Sequence, residues 1–504
     1  MRAWKKRIGL LAEGICILFA QLALPSNCQS VSAANDEIVL RICNCEEYID
    51  LGDWDEEELI ELENGQSILG INPMYEDFED WYYEQYGKKV RVEYSCFGTN
   101  EELYNQLTIG DVYDLICPSD YMLMKLEAEN KLVHFSAEFF DAENENNYYI
   151  RNISPYIKDI FEQNEIGSEK WITFAGAYMW GTTGILYNPE YMSEEDASTW
   201  DVFKNPDYYR RITLKDSVRD AYFAALGSYK GEELLGEELR QSDTYQEELA
   251  AIMNDVTPET IHEIEGQMQD TIRNIYSLET DSGKADIVTG KVVANYQYSG
   301  DAVYAMDQAE EDEVYLKYAS PKECVNVWFD GWAMLKAGIG DDVEKQHVAE
   351  SFINFVSRPD NVVRNMYYIG YTSAISGNEE DTTIFDFLKW KYETEEEKDT
   401  VAYPLGYFFA GDNADQNYIV NTSADQVGRQ LYAQYPSEEI ISRGAIMGYF
   451  NEEEMHDLNQ MWINARCYQL KQTPVGVWVL IAVVAMILLI IGIRKYNEKR
   501  MAYM

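Results

Sequence analysis

A chain of 504 residues with 46% hydrophobic and 13% aromatic content, 39 tyrosines among them, can bury a large core and is not a disordered polypeptide. Its 89 acidic against 40 basic residues leave a formal net charge of −49. Such a surface excludes nucleic acid and anionic ligands and gathers cations near it, while naming no particular ligand.

The chain opens with Arg2, Lys5, Lys6 and Arg7, runs through an apolar stretch from Ile8 to Pro25, and reaches Ser-Val-Ser-Ala-Ala before Asn35. Basic, then apolar, then small residues is the order of a secretory signal peptide, expected over residues 1–34. Cys28 follows Pro-Ser-Asn rather than a lipobox, which favours ordinary cleavage near Ala34 over lipidation.

From Glu37 onward, short apolar runs alternate with helical ones. Residues 38–43 read as a strand, 75–86 as an amphipathic helix stopped by Gly87, and 90–94 as a second strand. Thr99-Asn-Glu-Glu102 is a capping box that opens a helix over Asn100–Ile109. Residues 114–117 form a third strand, and another helix begins near Tyr121. Connections of this length imply a parallel α/β sheet, whose ligands bind beyond the carboxyl ends of its strands. Tyr48, Ser119 and Tyr121 all follow such ends.

Residues 51–74 look like an acidic insertion. A new strand pair begins within 178–188, acidic helices occupy 232–268, and strand patterning returns from Asp301 through Trp328. Residues 349–368 are helical and should break before Pro359. Residues 400–421 read as a loop rich in tyrosine and glycine, and a last helix covers about 452–469. Residues 475–493 (VGVWVLIAVVAMILLIIGI) carry no charge and suffice to cross ~30 Å of hydrocarbon. Arg494, Lys495, Lys499 and Arg500 then place the tail 494–504 in the cytoplasm and everything before Pro474 outside.

Beyond the leader lie Cys43, Cys45, Cys96, Cys117, Cys324 and Cys467. Their spacing matches no zinc pattern and four histidines are too few to complete one, so neither a metal nor another cofactor is expected. Buried free thiols are the reading, with one disulfide open in an oxidising compartment. No Ser-His-Asp or Cys-His arrangement and no phosphate loop stands out. The one enzymatic alternative is a glycosidase-like carboxylate pair, Asp301 and Asp330.

The oddest residue is Asp330, set in the apolar run Asn326-Val-Trp-Phe-Asp330-Gly-Trp332. A buried carboxylate is costly without a partner. Backbone N–H groups, a distant side chain or a ligand are the three candidates. Tyr298, Trp328 and Tyr371 likewise read either as core aromatics or as ligand contacts, and Asp220 can pair locally with Arg219.

Several stretches together resemble the periplasmic spermidine/putrescine-binding proteins, the solute-binding components of polyamine ABC importers. They are Asn44-Cys-Glu-Glu-Tyr48, Asp114-Leu-Ile-Cys-Pro-Ser119, residues 178–188, Ser198-Thr-Trp-Asp201, residues 216–220, Tyr298-Ser-Gly-Asp301, residues 326–330 and residues 352–371, in the family's order. The resemblance implies a two-lobed α/β periplasmic-binding-protein fold of type II, with mixed sheets flanked by helices and a ligand cleft between lobes. Lobe 1 would take residues 36–152 and 328–404, and lobe 2 residues 153–327. Residues 405–473 would pack mainly on lobe 2.

By the same resemblance, Tyr48, Tyr121, Tyr298, Trp328 and Tyr371 would form an aromatic box around the ligand's methylene chain. Asp330 would be the main amine-binding carboxylate, Asp220 and Asp301 further ones, and Ser119 a polar contact. Asp216 is a weaker candidate. An alkyl ammonium needs both kinds of group, an aromatic face and a charge-assisted hydrogen bond. Cys45 stands where the family has an aromatic wall. Glu46 stands where it has a hydroxyl residue, and so could add a carboxylate. The implied partners are a polyamine and ABC permease subunits with their ATPase; the receptor would be a monomer anchored by its C-terminal transmembrane helix. A sensor is the alternative, although the tail is too short for a signalling domain. Another small cation or a neutral solute is the rival ligand, the neutral one leaving carboxylates buried and unpaired.

Overall fold

Two long strands run side by side through the centre of the molecule. Gly176–Tyr187 and Val325–Leu335 pair antiparallel, and both are almost wholly buried. Their sequences, GAYMWGTTGILY and VNVWFDGWAML, lack the alternation of a strand with one wet face, as expected where both faces are covered. The computed structural model describes residues 37–394 and 399–467, together with Met486. The expected leader, the apolar span 475–493 and the basic tail lie outside the described residues, Met486 excepted. Among the described residues no helix is long and apolar enough to cross a membrane.

The remaining strands are added on either side of this central pair. On one side come Leu115–Ile116, Glu37–Cys45 and Lys89–Phe97; on the other Ala294–Tyr298, Ile212–Lys215 and Ser277–Glu279. Within each wing parallel pairing appears, Ile42 opposite Leu115 in one and Thr213 opposite Ser277 in the other. The central strands meet both wings antiparallel, Ala333 opposite Ile116 and Tyr187 opposite Ala294. The sheet is therefore mixed, with one parallel α/β unit per lobe and two strands crossing between them.

The apolar interior divides at the crossing strands. One core draws on residues 40–180 and 325–441, a second on 185–324 and 445–465, and a smaller third on Leu186, residues 287–318 and Ala433. Residues 403–441 thus join the first core, apart from Ala433 in the third, whereas the last helix, Glu452–Arg466, packs on the second through Leu458, Met461, Trp462 and Ala465.

Local signals shape the helices. Met74–Tyr86 buries Met74, Phe78, Trp81 and Tyr82 at helical spacing and ends on Gly87 in the left-handed conformation. The Thr99 side chain accepts from Glu102 N, while the Glu102 carboxylate accepts from Gly98 N at 3.0 Å, one residue before the position a capping box uses. The break before Pro359 separates Val343–Val356 from Pro359–Ile369.

The acidic insertion is tied down by buried polar chemistry. Arg364 donates to Asp50 Oδ2 at 2.8 Å, to Asp77 at 2.7 Å and to the Asn72 carbonyl at 2.9 Å, and Trp54 Nε1 donates to Asp50 Oδ1 at 3.0 Å. Residues 400–421 are not a loop throughout. Thr400–Pro404 and Ile419–Ser423 form an antiparallel hairpin whose buried residues, Tyr403, Val420 and Thr422, are too few to give a periodic pattern. All six described cysteines are free; Cys43, Cys117 and Cys324 are buried and Cys96 is exposed.

Candidate functional site

The register between the crossing strands slips between Asp330 and Gly331, so Asp330 sits at a bulge on the inner strand. Bulges re-aim side chains and recur beside functional sites. On its other edge Asp330 bridges Ser119, and Gly331 N donates to the Pro118 carbonyl at 3.1 Å. One carboxylate oxygen, Oδ2, accepts from the Tyr48 hydroxyl at 2.6 Å. The other, Oδ1, is buried and has no hydrogen-bond partner among the described residues. Burial pushes the Asp330 carboxyl up to about 6, with the Tyr48 and Ser119 hydroxyls opposing. Of the three candidate partners, a tyrosine takes one oxygen; the other makes no hydrogen bond among the described residues, the Ser119 hydroxyl acting on the carboxylate only at longer range.

Around this carboxylate the aromatic residues meet edge to face in sequence. Tyr48 and Tyr371 have ring centres 5.1 Å apart, Tyr371 and Trp328 5.7 Å, and Trp328 and Tyr298 6.1 Å. Close approach depends on two glycines. A Cβ at Gly181 would lie 2.7 Å from the Trp328 ring, and one at Gly300 would run into the Tyr371 ring. Tyr48 follows Glu47, whose φ of 55° makes the tight turn after the first strand, and the Tyr48 carbonyl accepts from the Tyr178 hydroxyl at 2.8 Å.

Each of the three expected carboxylates accepts from one tyrosine of this set. Tyr371 donates to Asp301 Oδ1 at 3.0 Å, Tyr298 to Asp220 Oδ2 at 2.7 Å, and Tyr48 to Asp330. Asp220 also accepts from Tyr296 at 3.0 Å. Burial above all, and then the carboxylate each one faces, raises these tyrosines well above the usual phenol range, so the hydroxyls stay protonated donors.

Two of the carboxylates lie beside cations of the chain itself. Asp301 is 3.6 Å from Lys215 Nζ and 3.5 Å from Lys284 Nζ. Burial opposes its ionisation, but the two lysines and the Tyr371 hydroxyl outweigh burial and hold its carboxyl below the usual range. Lys215 also reaches Glu279 at 3.3 Å and stands 5.3 Å from the Tyr298 ring centre. Arg219, next to Asp220, is buried with its guanidinium 4.7 Å from the Tyr121 ring centre and 4.1 Å from that of Phe450, and it donates to the Gly448 carbonyl. Tyr121 donates to Glu101 at 3.1 Å.

The other expected residues scatter around this centre. Ser119 accepts from Asn100 Nδ2 at 3.0 Å. Glu46 is exposed and acts on Cys45 only at range. Asp216 pairs with Arg466 of the last helix at 3.0 Å. Cys45 lies within electrostatic reach of both Asp330 and Asp301; burial first, then these carboxylates, pushes its thiol up and keeps it protonated. Sequence reading missed Lys215, Lys284 and Glu279. A lysine closing the short apolar strand Ile212–Lys215 was the available signal. It also missed Asp120, whose oxygens accept from Tyr121 N at 2.6 Å and Phe329 N at 3.2 Å and whose carboxyl burial pushes up to about 8.

Two lobes joined by crossing strands, with carboxylates and aromatics gathered where they cross, define a solute-binding protein. The chain belongs to the bacterial extracellular solute-binding protein family, whose model matches residues 74–385. Among curated relatives it is 25% identical over 286 residues to the putrescine-binding periplasmic protein SpuD of Pseudomonas aeruginosa, covering 54% of this chain and 68% of that one. It is 23% identical over 298 residues to the putrescine-binding periplasmic protein PotF of Escherichia coli, covering 56% and 71%. Solved structures share the two-lobed periplasmic-binding-protein fold. The spermidine/putrescine ABC transporter substrate-binding protein PotD of Streptococcus pneumoniae matches with a TM-score of 0.54 at 21% identity, over 86% of this chain and 99% of that one. A putative spermidine/putrescine ABC transporter protein of Listeria monocytogenes matches with 0.56 at 19% identity, over 85% and 99%.

Proposed function

We propose that this extracellular solute-binding protein captures a polyamine of the spermidine or putrescine class between its lobes and hands it to ABC permease subunits with their ATPase. Residues 475–493 would hold it at the outer face of the membrane, in place of free diffusion. The observation that carries the ligand reading is Asp330, with one oxygen buried and unpartnered beside Tyr48, Trp328 and Tyr371. A ligand ammonium supplies the missing hydrogen bond and the counter-charge together, and the aromatic faces hold the alkyl chain next to it. The names of the curated relatives point to the same chemistry.

The test is calorimetric titration of the detergent-solubilised full chain with putrescine, spermidine and spermine, beside Asp330→Asn. The expected result is saturable binding, weakened at least ~10-fold by the substitution, equivalent to ~1.4 kcal/mol. Folded protein that gives no heat with any amine would leave the family assignment standing and remove the polyamine.

A further inference from the structure

Asp330 differs from the other two carboxylates in what faces it. Asp301 has two ammonium groups of the chain beside it, Lys215 at 3.6 Å and Lys284 at 3.5 Å. The buried members of that cluster balance. The side chains of Lys215 and Lys284 are 4% and 17% exposed, those of Glu279 and Asp301 1% and 14%, giving two positive and two negative charges. Asp281, at 2.7 Å the shortest ion pair of Lys284, and Glu47 at 4.0 Å are 75% and 84% exposed, so solvent screens their pull on it. At the other end Arg219 covers the Tyr121 ring beside Asp220, and both Asp220 oxygens accept from tyrosine hydroxyls. Among the described residues no basic side chain forms an ion pair with Asp330, and only there is a carboxylate oxygen of these three left buried and unbonded.

We propose that the site takes an amine with a single ammonium group and an uncharged far end, such as a diamine acylated on one nitrogen, because the chain's own lysines already flank Asp301 and tyrosine hydroxyls take both oxygens of Asp220. This rests on the reading of Asp330 as an ammonium site and narrows the polyamine class proposed above to members with one free ammonium. A free diamine laid along the box would bring its second ammonium against Lys215 and Lys284, with Asp301 already shared between them. Like charges so placed disfavour the ligand. An amide or methyl end carries no such repulsion. Lys215 and Lys284 are thus the residues that set specificity, although neither has to touch the ammonium that is bound.

The experiment titrates the full chain in detergent with putrescine, N-acetylputrescine and n-butylamine, and repeats this with Lys284→Met and with the double substitution Lys215→Met, Lys284→Met. The wild type should bind N-acetylputrescine at least ~10-fold more tightly than putrescine, and the double substitution should reverse that order. The single substitution, at the more accessible lysine, should narrow the gap even if the double variant fails to fold. Wild-type protein that prefers putrescine, with an order the Lys284 variant leaves unmoved, overturns the inference while the ammonium reading survives. If none of the three amines binds the folded chain, the ammonium reading falls and the inference with it.

Discussion

Asp330 is held where its charge costs the fold something. Its carboxyl is raised to about 6 by burial, against an unfolded value of ~3.9. A raised carboxyl contributes stability that is fully present below the unfolded value and is lost as pH rises through the folded one. The ligand-free protein should therefore lose this contribution between about pH 4 and 6, and Asp330→Asn should raise stability at pH 7 by on the order of 2 kcal/mol while weakening amine binding at least ~10-fold. Thermal melts with and without ligand check both halves; a variant that binds normally or melts lower refutes the assignment. Binding of a cation has the opposite pH dependence, because the ammonium needs the ionised carboxylate. The titratable groups facing Asp330 include Tyr48, Tyr178, Tyr371, Cys45, Cys117 and Asp120. Burial pushes the tyrosines and thiols upward, and Asp120 stays protonated up to about 8, so Asp330 alone of these changes charge near pH 6. Affinity should fall up to ~10-fold per pH unit below about 6, and a flat profile from pH 5 to 7 would show that the ligand avoids this carboxylate.

Elements carry these residues through contacts made far away in sequence. Asp50 is fully buried, and Arg364 is its counter-charge as well as the clamp on the insertion through Asp77 and Asn72. Removing one partner of such a pair strands the other, so Arg364→Met should cost ~3–5 kcal/mol in urea unfolding; a loss under ~1 kcal/mol would mean Asp50 finds another donor. The helix Ser299–Glu311 does comparable work at Gly300, which lets the Tyr371 ring lie on its backbone. Gly300→Ala should push that ring away from Asp301 and weaken ligand binding ~10-fold or more with the fold retained, overpacking of this kind costing ~1–3 kcal/mol. Unchanged affinity would mean that Tyr371 is not a wall of the site. What the sequence made legible was local: the apolar period of Met74–Tyr86, the Thr99 cap, the break before Pro359, and the incongruity of Asp330 itself. Hidden was whatever depends on distance along the chain. Nothing in the neighbourhood of Asp301 announces Lys215, 86 positions earlier by their numbers, or shows that Arg219 turns from Asp220 onto Tyr121. The hairpin after Thr400 escaped because its strands bury too few residues to set a period.

At the scale of the molecule, the last described helix determines where a tether would leave. Glu452–Arg466 lies against Pro258–Asn274, buries Leu458, Met461, Trp462 and Ala465, and ties Arg466 to Asp216 and Asn464 to Glu265. It belongs to the second core, so an anchor at 475–493 would hold that lobe and leave the other free to swing at the crossing strands. Among the bonds that span the two sides, Tyr371 to Asp301 and Lys284 to Glu47 lie at the candidate site, and others join Lys391 to Asp307 and Gln430 to Glu310. Cutting after Thr473 would remove the apolar span and basic tail while sparing every buried residue of the helix Glu452–Arg466. The full chain should therefore stay with membranes through high-salt and alkaline washes, which strip proteins held by charge alone, and an acidic ectodomain has little charge attraction to an anionic surface in any case. The chain ended at Thr473 should appear in the soluble fraction with the same ligand affinity, whereas one ended at Asn451 should lose stability with the exposed face of Pro258–Asn274. Full-length protein released by the wash would refute the membrane anchor and leave the binding site as it is.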